Sequence, residues 1–122
     1  MKAYRTEKQK RGDWGEEKAC VFLQHKGYRI LCRKYRCRRG EIDIIARKDS
    51  VLAFVEVKTR ASTAYGLPCQ AVDRKKQHRL RLSAEYYMLC NPWTKKLQPH
   101  WDIIEILCLP DGNYIRHLEN AF

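Results

Sequence analysis

The stretch GEIDIIARKDSVLAFVEVKTR, Gly40–Arg60, sets three acids and a lysine in or beside strongly apolar runs: Glu41, Asp43, Glu56 and Lys58. The runs Ile42–Ala46 and Val51–Val57 are rich enough in Ile, Val, Leu and Phe to be buried strands. An unpaired ionised group costs several kcal/mol to bury. Two carboxylates held together also repel, unless a proton or a cation lies between them. A hard divalent ion resolves this, since Mg²⁺ takes one or two carboxylates and completes its shell with water and substrate phosphate. The competing reading is a plain buried ion pair, with Glu41 in water at a strand end.

Whether the acids meet depends on the turn that joins the two runs. Side chains alternate faces along a strand, so Glu41, Asp43 and Ile45 share one face, and Leu52, Phe54, Glu56 and Lys58 share one face. A loop of four residues, Lys48–Val51, sets Asp43 opposite Glu56 on a common face. A three-residue loop puts them on opposite faces, because a one-residue slip inverts every side chain.

The elements around this hairpin read as α-β-β-β-α-β-β. Asp13-Trp14-Gly15-Glu16 has the form of a helix start, in which Glu16 fits the third position of a capping box, and Gly27 is the expected stop. Ala19, Phe22 and Leu23 follow at helical spacing. Tyr28–Cys37 reads as a strand, Arg39-Gly40 as a turn, and Gly40–Arg47 and Val51–Thr59 as two more strands. Ala61–Gln70 contains Gly66 and Pro68 and reads as a loop. From about Val72 to Cys90, Leu80, Ala84, Tyr87 and Met88 mark a helical face, closed by Asn91-Pro92. Trp101–Leu109 and Asn113–Leu118 are strands around Pro110-Asp111-Gly112. This order predicts an α/β domain, a mixed sheet with flanking helices, in a single unit over 1–122 with 1–12 as a flexible basic arm.

Composition narrows the partners. The formal net charge is +11 on 122 residues, concentrated in Arg33–Arg39 and Arg74–Arg81. Clustered positive charge with an interleaved Tyr35 favours a polyanion, nucleic acid above all. Neither run has a wide apolar face for a membrane surface. No segment approaches the ~18 apolar residues of a membrane span, and the basic start lacks the apolar stretch of a secretory signal. A cytoplasmic protein with its six cysteines as thiols is the expected setting.

The ordered set GEEKACVFLQHKGYRIL, GEIDIIA, FVEVKTR, YGLPCQAV, KKQHRL, WDIIEI and HLENAF covers nearly the whole chain. It resembles the YraN-like family of uncharacterised bacterial proteins, predicted nucleases of the PD-(D/E)XK superfamily. The resemblance implies a restriction-endonuclease-like αβββαβ core and an Mg²⁺-dependent nuclease cutting DNA, with Mn²⁺ as an alternative ion. By position it implies Asp43 and Glu56 as metal ligands, Lys58 as the catalytic lysine, and Glu16 approaching them from the first helix. Lys34 departs from the more usual Asn, and Gln70 from the commoner Glu. Arg36, Arg38, Arg39, Lys75, Lys76 and Arg79 are the expected nucleic-acid grip, and junction cutting would favour a homodimer. The alternative is a nucleic-acid-binding module of the same fold without nuclease activity; a third reading is a structural protein whose basic faces meet acidic partners.

Overall fold

The computed structural model describes residues 6–61 and 72–122. The expected loop after Ala61, with Cys69 and Gln70, lies outside the described residues. Helix α1 spans Glu7–His25 and begins earlier than expected. Thr6 is its cap: the Gln9 N–H donates to Thr6 Oγ1 at 3.1 Å, and the Thr6 N–H donates to Gln9 Oε1 at 2.8 Å. Thr-Glu-Lys-Gln is itself a capping-box sequence, and Glu7–Arg11 are good helix formers that carry the first turn, so the helix does not wait for Asp13. The capping role expected of Asp13 and Glu16 is therefore corrected, since both lie inside α1. Of the expected basic arm, 6–12 form the cap and first turns of this helix, and 1–5 lie outside the described residues.

The stop falls at Gly27, as expected. Its φ of 95° is one that an L side chain resists. There the Gly27 N–H reaches Gln24 O and the Tyr28 N–H reaches Leu23 O, closing the helix end as a Schellman motif.

Strands β1 (Arg29–Cys37), β2 (Gly40–Lys48) and β3 (Val51–Arg60) form an antiparallel meander. Helix α2 (Arg74–Cys90), capped by the Asp73 side chain, leads through a 3₁₀ turn at Pro92–Lys96 to β4 (Gln98–Leu109). β4 lies parallel to β3, and β5 (Gly112–Leu118) closes the edge as a hairpin on β4. The sheet order is β1-β2-β3-β4-β5, a mixed sheet compatible with the αβββαβ core.

The two helices cover opposite faces. Leu23, Ala19 and Cys20 of α1 bury Ile44, Ala46, Ala53, Val55 and Ile104. Leu80, Ala84 and Tyr87 of α2 bury Ile45, Leu52, Phe54 and Ile103. β3 therefore alternates cleanly, odd residues toward α1 and even residues toward α2, as period-two patterning requires.

Helix α1 approaches β3 closely at Gly15, which is buried: a Cβ there would lie 2.1 Å from Thr59 Oγ1. We expect Gly15→Ala to lower stability by about 1–2 kcal/mol despite alanine's better helix propensity, because overpacking outweighs it. In the Gly15→Ala/Thr59→Ala double variant most of that loss should return. Urea denaturation of the four proteins checks this; additive losses would show that the contact is not the cause.

Candidate functional site

The turn between β2 and β3 is even. Lys48 pairs with Val51 across Asp49-Ser50, with Asp49 at φ 54°, and the register runs to Ile44 opposite Val55. One step further Asp43 would face Glu56, but there the ladder stops. Among the described residues, β2 continues toward Gly40 paired only with β1, and β3 continues to Arg60 paired only with β4. The sheet forks at this point. The Val57 N–H, which has no partner strand on that side among the described residues, donates to Asp43 Oδ2 at 2.8 Å. Side-chain alternation also breaks here: Ile42 packs toward α2, whereas Ile44 packs toward α1. Opposite Asp43 in the β1 register stands Lys34, at φ 52°.

The fork lets both helices reach the same place. Glu16 from α1, Asp43 from β2, and Glu56, Val57 and Thr59 from β3 line a cavity of about 470 Å³ with Lys8, Arg11 and Gly12. Glu16 is held by Lys34, whose Nζ lies 2.9 Å from Oε2 and 2.8 Å from Asp13 Oδ1. Its other oxygen, Oε1, is buried with no hydrogen-bond partner among the described residues. Glu56 is 6% exposed. Its Oε1 meets two ammonium groups, Lys58 Nζ at 3.3 Å and Lys76 Nζ of α2 at 2.5 Å.

These neighbours shift one another. Burial, then the charge of Glu56, pushes the Asp43 carboxyl up to about 7; the charge of Glu16 adds to this, while the Val57 N–H and Lys76 oppose it. Burial pulls the Lys58 ammonium down, helped by its like-charged neighbour Lys76. Burial works to lower Lys76 too, but its hydrogen bond to Glu56 and the carboxylate's charge outweigh that and leave it raised.

The donor set suits a hard divalent cation. All three acids offer oxygen, two of them hold a repulsion that a cation would relieve, and one carries a buried oxygen without a donor. Among the described residues no three His, Cys, Asp or Glu side chains gather into an ion cage. Asp43 and Glu56 are thus the residues that could hold an ion, as a two-carboxylate set with room left for water and phosphate.

The basic residues expected to grip nucleic acid divide. Arg36, Arg38 and Arg39 are exposed at the end of β1 and its turn into β2, with Arg36 Nε 3.3 Å from Glu41 Oε2. Lys75 and Arg79 are exposed on α2, but Lys76 turns inward to Glu56. Helical patterning puts Lys76 nearer the core than Lys75 but does not foresee a partner. Lys8 and Arg11 at the cavity escape the sequence reading, which takes their helical turn for an arm; the signal is Thr6-x-x-Gln9.

The Asp43 shift has a stability consequence. A carboxyl raised above its unfolded value of ~3.9 is favoured neutral in the fold, so its contribution is complete below pH ~4 and disappears as pH rises through about 7. In EDTA, Asp43→Asn should therefore melt higher than the parent at pH 8 and close to it at pH 4. Equal melting temperatures at both pH values would show that Asp43 carries no such penalty.

A model of the uncharacterised protein family UPF0102 matches residues 15–106. A UPF0102 protein of Alkaliphilus oremlandii is 44% identical over 116 residues, covering 91% of this chain and 96% of the relative. One from Clostridium acetobutylicum is 41% identical, covering 93% of each chain, and one from Persephonella marina is 42% identical, covering 92% of each. The forked site lies within the matched span, apart from Lys8, Arg11 and Gly12. The chain belongs to UPF0102, the YraN-like family whose motifs its sequence carries.

Proposed function

We propose that this domain is a metal-dependent nuclease that hydrolyses phosphodiester bonds in nucleic acid, DNA in the first place. One observation carries the reading: Asp43 and Glu56 stand at the fork of the sheet beside Lys58 and line one cavity with Glu16, whose second carboxylate oxygen is buried without a donor among the described residues. Asp43 and Glu56 would hold Mg²⁺, or Mn²⁺ in its place. When bound, such an ion polarises a scissile phosphate and lowers the pKa of a coordinated water. Lys58, half-buried and drawn toward its neutral form, is placed to orient that water or to offset charge developing on phosphorus. Glu16 can accept a hydrogen bond from the same water shell. The exposed Arg36, Arg38 and Arg39 lie on the strand pair that carries Asp43, where the nucleic-acid backbone must pass. A branched substrate with two-fold symmetry would call for a homodimer.

The decisive assay offers labelled duplex, nicked, branched, flapped and single-stranded DNA, and RNA, with Mg²⁺, Mn²⁺ or EDTA. Cleavage should require the ion. Asp43→Asn and Glu56→Gln should each lose more than the ~10–100-fold that outer partners of a metal ligand cost, while still binding nucleic acid. Variants that cut as fast as the parent would remove both residues from the site. A parent protein that binds but cuts nothing with either ion would make the domain a binding module of the same fold.

Binding has its own signature. For every duplex phosphate that a variant no longer neutralises, the slope of log affinity against log salt should flatten by roughly 0.9. We expect Arg36, Arg38 and Arg39 changed together to Ala to flatten it more than Lys75 with Arg79, in anisotropy titrations over several salt concentrations. An unchanged slope with the fold intact by circular dichroism would leave this run as solvated charge.

A further inference from the structure

Lys76 is engaged as a purely phosphate-gripping lysine would not be. It reaches from the first turn of α2 to Glu56, a carboxylate only 6% exposed, and its Nζ lies 2.5 Å from Oε1. Lys58 Nζ sits 3.3 Å from that same oxygen. Two ammonium groups on one carboxylate oxygen already supply at Glu56 the positive charge that a cation would bring. A divalent cation entering there would have to share that oxygen with them or displace one. Both lysines would then face it, and like charges at such range are mutually unfavourable.

The two lysines differ in their freedom to leave. Lys58 is on β3, the strand that carries Glu56, and is 27% exposed at its side chain; Lys76 is 35% exposed and belongs to a different element. Lys76 also borders a second cavity, of about 190 Å³, lined by Gly40, Glu41, Arg79 and Leu80. That cavity lies between α2 and the β1–β2 turn. The close approach there is visible at Gly40, where a Cβ would lie 3.2 Å from Ser83 Oγ and 3.7 Å from Arg79 Cβ. A rotated Lys76 would therefore stand next to Arg79, on the basic side of the domain.

We propose that Lys76 is an internal counter-ion that occupies the cation position at Glu56 and competes with the divalent ion for it. Its release toward Arg79 then adds a positive group to the surface that meets phosphate. Lys76 acts here through Glu56, as a positioning residue. This rests on the proposed metal role of Asp43 and Glu56, and the test separates the two ideas.

Mn²⁺ binding to the protein without nucleic acid is measured by calorimetry and by water-proton relaxation. The parent is compared with Lys76→Met, Lys76→Gln, Lys75→Met and Glu56→Gln. Lys75 is the control: it is exposed one residue away, so its removal changes net charge equally without touching Glu56. Both Lys76 variants should bind Mn²⁺ about 10-fold more tightly or better, within the usual range of coupling between sites. Lys75→Met should stay within about 2-fold of the parent, the small change a rim charge gives, and Glu56→Gln should abolish binding. Equal tightening in the Lys75 and Lys76 variants would reduce the effect to overall charge and overturn the proposal. So would parent-like affinity in both Lys76 variants with the fold intact by circular dichroism. Binding that survives in Glu56→Gln, or is absent from every protein, would instead remove the metal site itself, and the proposal with it.

Discussion

The mutual repulsion of Asp43 and Glu56 is the constraint around which this end of the domain is arranged. Two acids on neighbouring strands, Glu56 buried and Asp43 partly so, cannot both hold their charge without help, and help comes from every direction. The Val57 N–H binds Asp43, two lysines bind Glu56, and the Asp43 carboxyl shifts up to about 7. A buried pair of this kind is a poor way to gain stability, since desolvation offsets most of the attraction it can collect.

The same sheet shows what a buried acid looks like when it serves the fold. Glu105 is 1% exposed and receives Arg60 on one oxygen and Arg116 on the other, tying β3, β4 and β5 together. Asp102 is fully buried, bound by the His117 ring at 2.8 Å and by the Asn120 N–H at 2.8 Å. Each oxygen of these acids has a donor. Glu16 has one oxygen that has none among the described residues. An orphaned buried acceptor costs on the order of 1–3 kcal/mol, and Glu16 lines the cavity that the other two acids share.

The fork explains a residue that otherwise looks out of place. Lys34 sits in β1 at φ 52°, a conformation in which a non-glycine residue is uncommon and Asn is among the more tolerant. The lysine keeps the kinked backbone and adds an ammonium group that ties Asp13 and Glu16 of α1 to the edge of the sheet. The kink, the broken alternation at Ile42 and the end of the β2–β3 ladder occur together, and they turn a flat sheet edge into an opening between two helices.

Much of this domain could be read from the residues alone. Period-two runs marked the strands, the turn residues separated them, and the apolar face of Leu80, Ala84 and Tyr87 marked α2, because these patterns are local and each element enforces its own. Asp43, Glu56 and Lys58 stood out for the same reason, as charges interrupting a pattern that excludes them. The helix starts before Asp13 because two capping signals lie within about two turns of each other, and the good helix formers Glu7–Arg11 favour the earlier one. What no local pattern held was the meeting of the parts. Whether Asp43 and Glu56 could meet hung on the parity of one turn and on the fork beyond it: Lys48 pairs with Val51, the ladder ends at Ile44 and Val55, and both acids line one cavity. That Lys76 would leave the basic surface for Glu56 depended on how α2 packs on the sheet. Distances between elements far apart in the chain follow from the packing of both helices on one sheet, and only the folded chain sets them.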